Sequence, residues 1–477
     1  MVLRKTPLFI NLFAGGGGLL LGLERSGFRC IGVAERDGPA GRTLRGHLGG
    51  RVPDRFLALG PTEGDVRGID FASWRRWLND QEGRELDLLA GGPPCQSFSR
   101  VGRGKLNALT DAGFLGDPRN RLWKEFLRAV EQLAPRMFLI ENVPGMLHHG
   151  GVNVADMICR AGSRLGYRTK CAILNAAAFG VPQVRERLFI LGTRERDGIE
   201  PTLPTGTCAV RLGRSHIGRQ ASLGGLFDDP DHFAGSLLPP VSASHATNVF
   251  QALSDLPPHR EHLSSSYRAR LPCPSKKYRA QSPSRFASEM RRWPGLETSA
   301  VVTDHVCKAT PRDYRTFARM KPGDRYPDAL AIANRLFDDA LAEWQYRGCH
   351  TPKPRKPDFI PPYRSDNFPE KWRKLIRDEP SWTVTAHLAK DSYSHIHYDS
   401  RQARMITIRE AARLQSFPDA WKFEGNMGDR FRQIGNAVPP LMAAAIGHHL
   451  RELLDQANVE DVSLISRRSA VAGRKAP

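Results

Sequence analysis

The sequence has no internal repeat, no C-x-x-C pair among its eight cysteines, and no apolar run of the length a membrane span requires. A helix crossing a bilayer needs roughly 18 or more continuous apolar residues, so a spanning protein is not expected. Eight cysteines scattered through 477 residues make no disulfide framework, and a reducing compartment is expected. His305 with Cys307, and Cys349 with His350, suggest a zinc site only weakly, because no further ligand cluster accompanies them, and no metal is expected. The N-terminus superficially resembles a secretion signal, with Arg4-Lys5 ahead of a mostly apolar stretch to Leu23. The glycines from Gly15 to Gly18 would break such a helix, no small-residue cleavage site is evident, and Glu24-Arg25 follow at once, so the expected location is cytoplasmic. Acidic residues are also scarce: 50 against 70 lysines and arginines, a net charge of +20. That balance fits a polyanionic partner, and nucleic acid better than an acidic membrane surface, since the basic residues are spread widely instead of forming one tail.

Residues 1–200 alternate apolar strand-like runs with helical segments such as Arg119 to Leu133, the pattern of a doubly wound α/β sheet. From 201 to 385 the pattern dissolves into Pro-, Ser- and Arg-rich stretches. These still carry Trp293, Phe317, Tyr326, Phe337, Trp344, Tyr346 and Trp372, too many large apolar groups for a solvated tether, so this segment reads as an inserted recognition domain. Regular structure returns over 386–460, where Thr407 and Glu410 form a T-x-x-E capping box and a helical segment follows Pro440. Residues 461–477 read as a frayed basic tail.

The most informative stretch is Gly91-Gly92-Pro93-Pro94-Cys95, a thiol on a rigid turn directly after the apolar run Leu86 to Ala90. Prolines fix φ and glycines permit close packing, so the thiol is presented at a defined angle. Taken alone, the stretch fits a buried cysteine beside a tight turn equally well. A second apolar run, Met137 to Ile140, ends in Glu141 and is stopped by Pro144-Gly145. Two successive parallel strands ending in a thiol and a carboxyl group suggest one shared pocket. Gln183 to Leu191 then place Arg185 and Arg187 on one face of a third strand, suited to an oxygen-rich ligand.

These segments, in this order, resemble the central motifs of the DNA (cytosine-5) methyltransferases. Leu8 to Gly18 resembles that family's cofactor loop, Thr407 to Pro418 its ninth motif, and Gln433 to Pro440 the motif that returns to pack against the first. The resemblance implies a Rossmann-like, S-adenosylmethionine-dependent methyltransferase sheet with an inserted target-recognition domain. It implies Cys95 as the nucleophile adding to cytosine carbon 6, Glu141 at ring nitrogen 3 and the exocyclic amine, Arg187 at the carbonyl oxygen, and Arg185 as a helper. S-adenosylmethionine would lie against Phe13, Gly15, Gly17, Gly18 and Pro93, with Glu35 on the ribose hydroxyls, Asp65 near the adenine amine, and Asn436 and Val438 completing the wall. The loop from Gln96 to Gly116, with Arg100, Arg103 and Lys105, would close over a base rotated out of double-stranded DNA. The size resembles bacterial modification enzymes that protect DNA from a companion restriction endonuclease acting separately.

Rival readings explain less. A Rossmann-type dehydrogenase accounts for the glycine loop and Glu35 but gives Cys95, Glu141 and Arg187 no joint role. A DNA-binding module without turnover would need a broken catalytic set, and none is broken. A transfer RNA cytosine methyltransferase shares the motifs, but the large insertion and the charge favour a reader of duplex sequence.

Overall fold

The computed structural model describes residues 5–94, 121–148, 152–209, 227, 229–237, 244–264, 266–279, 282–348, 350–361, 371–390 and 393–472. By contact they form two units: residues 1–180, 185–245 and 438–477, and residues 181–184 with 246–437.

The first unit is built on an eight-stranded sheet. Its strands are β1 (Leu8–Leu12), β2 (Arg29–Glu35), β3 (Leu57–Leu59), β4 (Leu88–Gly91), β5 (Met137–Asn142), β6 (Tyr167–Asn175), β7 (Glu186–Arg194) and β8 (Phe233–Ser236). Strands β1, β4 and β5 are buried at every position, as their near-continuous apolar runs require of strands covered on both faces. The order is β8-β6-β7-β5-β4-β1-β2-β3. Strands β5 to β3 along that order are mutually parallel, while β7 runs antiparallel to both of its neighbours. The order reverses between β1 and β4, and in open α/β sheets a crevice opens beyond the carboxyl ends at such a point.

Helices follow from local signals. Helix α1 (Gly18–Arg25) starts at Gly17, whose φ of 86° is cheap only for glycine. Helices α2 (Gly38–Leu48), α3 (Phe71–Glu82) and α5 (Val154–Arg164) are capped by the side chains of Asp37, Asp70 and Asn153. Between α3 and α5 lies α4 (Leu122–Leu133), within the helical stretch expected from Arg119. The segment returning after the second unit enters the long C-terminal helix, Pro440–Ala472, and packs on α1. A Cβ on Gly22 would lie 2.3 Å from Ala443 Cβ, so this helix pair approaches only because position 22 has no side chain.

The second unit has little sheet. Gln183–Val184 pair with Ser381–Trp382, and the remainder is helices joined by irregular chain: α6 (Val249–Leu253), α7 (Arg285–Arg291), α8 (Tyr314–Arg319), α9 (Tyr326–Tyr346), α10 (Ile408–Leu414) and α11 (Met427–Asn436). The C-terminal helix is α12 in this numbering. Phe317, Tyr326, Trp372 and Tyr393 interlock as an aromatic core. Tyr346, counted in the sequence among the residues needing burial, is instead 93% exposed.

A second set of buried groups is ionic. Arg404, Arg409 and Arg413 are fully buried. Arg404 pairs with Glu410 at 2.6 Å, and Arg413 pairs with Asp419 at 2.6 Å and Asp255 at 3.1 Å. Glu410 also completes the capping box with Thr407 at the start of α10. Removing one partner of such a buried pair leaves an uncompensated charge, costing about 3–5 kcal/mol. These pairs tie 404–419 to Asp255, so the contact boundaries fall at 245/246 and 437/438, where composition had suggested 201 and 385.

His395 and His397 are buried in the same unit, and burial holds their pKa values down to about 4 and about 3. The unfolded chain takes up these protons near pH 6.5, whereas the folded chain does not until pH 3–4. Their contribution to stability is therefore full above pH 6.5 and is lost as pH falls, by up to about 1.4 kcal/mol per pH unit and histidine. Urea titrations should give a lower unfolding midpoint at pH 5 than at pH 7, and His397→Gln should flatten that slope. A pH-independent midpoint would contradict the assignment.

Candidate active site

The carboxyl ends of β2, β1, β4 and β5 lie side by side, because Leu12 is paired with both Ala34 and Gly91, and Gly91 with Ile140. Each end carries one of the chemical groups singled out in the sequence. β1 runs into the glycine loop, β2 ends in Glu35, β4 leads into Gly92-Pro93-Pro94, and β5 ends in Glu141-Asn142.

At β1 the chain turns through two left-handed residues, Phe13 with φ 53° and Gly15 with φ 55°. The first is unusual for a bulky residue and marks a fixed turn. Gly17 and Gly18 then open α1. Glu35 binds this loop from β2, one carboxyl oxygen accepting from the Gly15 N–H and the other from the Asp37 N–H, both at 2.6 Å. Burial pushes the Glu35 carboxyl up, and these backbone hydrogen bonds oppose the shift. A Cβ on Gly64 would lie 2.1 Å from the Glu35 carbonyl oxygen, so Asp65 is carried close to the end of β2 by a glycine that cannot be replaced. Asp65 itself is bound by Arg67, which holds its carboxyl down at about 2. Val438 is buried in the first unit; Asn436 ends α11 in the second unit and is exposed.

The glycines after β4 are dictated by their neighbours. A Cβ on Gly91 would lie 2.3 Å from the Leu12 carbonyl oxygen, and one on Gly92 would lie 3.0 Å from Glu141 Oε2. The Pro93 turn is thus pressed between β1 and the carboxyl group on β5. Cys95 lies outside the described residues, as do Gln96 to Gly116 with Arg100, Arg103 and Lys105. The approach to the thiol is nonetheless fixed through Pro93: Asn142 Nδ2 donates to the Pro93 carbonyl at 2.9 Å, and Asn142 Oδ1 accepts from the Val143 N–H at 2.9 Å. Sequence reading gave Asn142 no role. Its signal was a polar amide at the end of an apolar strand, directly after the carboxylate.

Glu141 and Arg187 meet because β7 runs antiparallel to β5, which brings the start of β7 to the edge where β5 ends. Arg187 Nε lies 2.9 Å from Glu141 Oε1, with the two side chains 14% and 11% exposed. Burial pushes the Glu141 carboxyl up, opposed by Arg187 and then Arg185. Burial also lowers the proton affinity of Arg185, and Arg187 adds to that. Arg185 is 1% exposed and sits at a break: Gln183–Val184 pair with Ser381–Trp382, and the sheet strand begins only at Glu186. Its backbone is fixed by Asn175 Oδ1, which accepts from the Arg185 N–H, and by the Ala176 N–H, which donates to the Arg185 carbonyl.

Glu141, Arg187 and Arg185 therefore form a buried cluster with one carboxyl group and two guanidinium groups, able to meet a polar ring bearing both an acceptor oxygen and a basic nitrogen. The donor set along the edge also fits S-adenosylmethionine. The open space a Cβ on Gly15 would enter leaves the loop backbone approachable, and Glu35 offers carboxylate lone pairs where ribose hydroxyls would bind.

Comparison with known proteins shows the family to which the chain is similar. The model of the C-5 cytosine-specific DNA methylase family matches residues 8–452. M.OihORF3336P of Oceanobacillus iheyensis is 34% identical over 464 residues, spanning 94% of this chain and 96% of that protein. Type II methyltransferase M.AgeI of Thalassovita gelatinovora is 32% identical over 464 residues, spanning 93% and 98%. The crystal structure of a protein encoded within an E. coli prophage shares the fold, with TM-score 0.60 and 21% identity over 94% of this chain and 99% of that one.

Asn142→Asp keeps the shape but sets a carboxylate against the Pro93 carbonyl. Single-turnover methyl transfer should fall by up to about 100-fold through misplacement of the turn, and because the new carboxyl group is buried the melting temperature should fall as well, while DNA affinity changes little. An unaltered rate would remove the positioning role.

Proposed function

The chain belongs to the C-5 cytosine-specific DNA methylase family, and on that premise we propose how its own residues carry the reaction and what the modification serves. The substrate is cytosine in DNA, and S-adenosylmethionine supplies the methyl group. The observation that carries the rest of the reading is the convergence of Glu141 and Arg187 with the Gly92-Pro93 turn at the sheet edge.

Cytosine carbon 5 is a poor nucleophile, and covalent catalysis relieves this. The Cys95 thiolate would add to ring carbon 6, moving an electron pair to carbon 5, which would take the methyl group as the donor's sulfur–methyl bond breaks and S-adenosylhomocysteine leaves. A base then removes the carbon 5 proton, the carbon 6–sulfur bond breaks, and the thiolate is regenerated. Glu141, whose carboxyl is pushed up by burial, holds a proton at ring nitrogen 3 while negative charge builds there. Arg187 binds the ring oxygen, and Arg185 behind it keeps the pocket positive, which also favours the ionised thiol. Phe13, Gly15, Gly17, Gly18, Pro93 and Val438 border the donor, with Glu35 on its ribose and Asp65 near its adenine. Asn436 is assigned to the same wall on the resemblance of its motif alone.

The base must leave the duplex to reach this pocket, at a cost of a few kcal/mol. Arginines of 201–385 and phosphate contacts of the loop after Cys95 are proposed to offset it and to read the site in the major groove. The named type II relatives support a modification enzyme, paired with a restriction endonuclease that acts separately. No helix among the described residues is long and apolar enough to cross a membrane. Work on DNA in a bacterial cytoplasm is proposed accordingly.

Bisulfite sequencing of DNA from a methylation-free host expressing the protein should show 5-methylcytosine confined to one short motif. Cys95→Ser should abolish it while duplex binding stays measurable. Turnover in that variant would overturn the covalent step. Unmethylated DNA beside methylated RNA from the same cells would overturn the duplex substrate.

A further inference from the structure

The second unit holds a group of side chains that the reaction does not use. His259, His262 and Cys307 are all buried, and one ring nitrogen of each histidine and the cysteine sulfur lie within 4.8 Å of one another. They come from separate stretches of chain, the turn at 259–262 and the segment before α8.

The hydrogen bonds around the imidazoles determine which nitrogen is available. His262 Nε2 faces the Ala403 carbonyl at 3.2 Å, which can only accept, so the ring proton belongs on Nε2. His262 Nδ1 then carries a lone pair, and it is buried with no hydrogen-bond partner. His259 Nδ1 lies between the Glu261 carboxylate at 2.9 Å, an acceptor, and the Lys276 ammonium at 3.4 Å, a donor, so this ring can carry its proton on either nitrogen. His259 Nε2 lies 3.3 Å from Tyr267 Oη, whose hydroxyl donates its one proton to the Cys307 carbonyl at 2.7 Å, so with the ring proton on Nδ1 this nitrogen offers a lone pair that Tyr267 does not fill. The buried Nδ1 of His262 thus has no hydrogen-bond partner, in a cluster where one ring nitrogen of each histidine and the Cys307 sulfur lie within 4.8 Å of one another.

His262 donates to a backbone carbonyl through Nε2, and His259 can donate to the Glu261 carboxylate through Nδ1, the kind of second hydrogen bond that orients histidines bound to a metal. Imidazole and thiolate ligands together select zinc among the common ions. We propose that His259, His262 and Cys307 bind one Zn²⁺ ion as a staple within the second unit. Bond lengths of about 2.0–2.3 Å in a tetrahedral site put ligand atoms roughly 3.3–3.8 Å apart, so the three groups draw in by about 1 Å on binding. The thiol proton is displaced to solvent as the sulfur–zinc bond forms. The pairing differs from the one the sequence suggested. His305 has both nitrogens engaged, with the Pro257 carbonyl at 2.7 Å and Thr407 Oγ1 at 3.1 Å. Cys349 lies outside the described residues.

The test uses the untagged full-length protein. Elemental analysis should give one zinc per chain, falling to background in both Cys307→Ser and His262→Ala. A chelator should lower the melting temperature of the wild type, and added Zn²⁺ should restore it. Loading with Co²⁺ should produce a near-ultraviolet thiolate-to-cobalt band that survives Cys95→Ser and disappears in Cys307→Ser, a readout that does not depend on activity. Zinc retained in both variants would place the ion elsewhere and overturn the proposal. So would a wild type that holds no zinc and shows neither band nor stabilisation on adding either ion.

Discussion

The Glu141–Arg187 ion pair is the constraint on which the proposed catalytic edge depends. An ion pair with both side chains buried is expensive to desolvate and persists only where geometry holds the partners together. Here the geometry comes from the one reversed strand. β7 enters the sheet against β5 in the opposite direction, so the beginning of one and the end of the other coincide. A fully parallel sheet would put the cation at the opposite edge. From this pair the other contacts follow in sequence. Glu141 crowds the space beside Gly92, the next residue Asn142 holds Pro93, and Gly91 closes against the end of β1, where the glycine loop begins.

The two units solve burial differently. The first covers an apolar sheet with helices, and its close approaches are made by missing side chains, at Gly22, Gly64 and Gly91. The second has short helices and much irregular chain, and it buries arginines instead. Arg404, Arg409 and Arg413 bridge chain segments through carboxylates and backbone carbonyls. Buried polar groups that are fully paired define one arrangement strictly, since any shift leaves a charge exposed to a low dielectric. A zinc ion on His259, His262 and Cys307 would add a staple of the same kind.

How much could be read from sequence depended on the range of the interaction. The glycine loop, the strand ends at Glu35 and Glu141, and the Thr407–Glu410 box rest on residues close along the chain, and each stands at the predicted element. The division into contact units at 245/246 and 437/438 is not visible in composition, a local property, because Arg413 meets Asp255 only in the folded unit. Asn142 was passed over because its partner is the Pro93 carbonyl, which has no sequence signature. The histidine cluster was missed for a related reason: the H-x-x-H spacing at 259–262 is visible, but nothing along the chain marks Cys307 as its companion in preference to Cys349. Cys95, the residue most legible in sequence, lies outside the described residues, and its role rests on its motif and on the Pro93 turn that leads to it.

The most direct test of the account is a double-mutant cycle on the central pair, measuring single-turnover methyl transfer for Glu141→Gln, Arg187→Gln and the double variant. Groups that act as one unit should be strongly non-additive, with the double variant about as slow as the worse single one. Rate losses that multiply independently would contradict the claim that this pair organises the site.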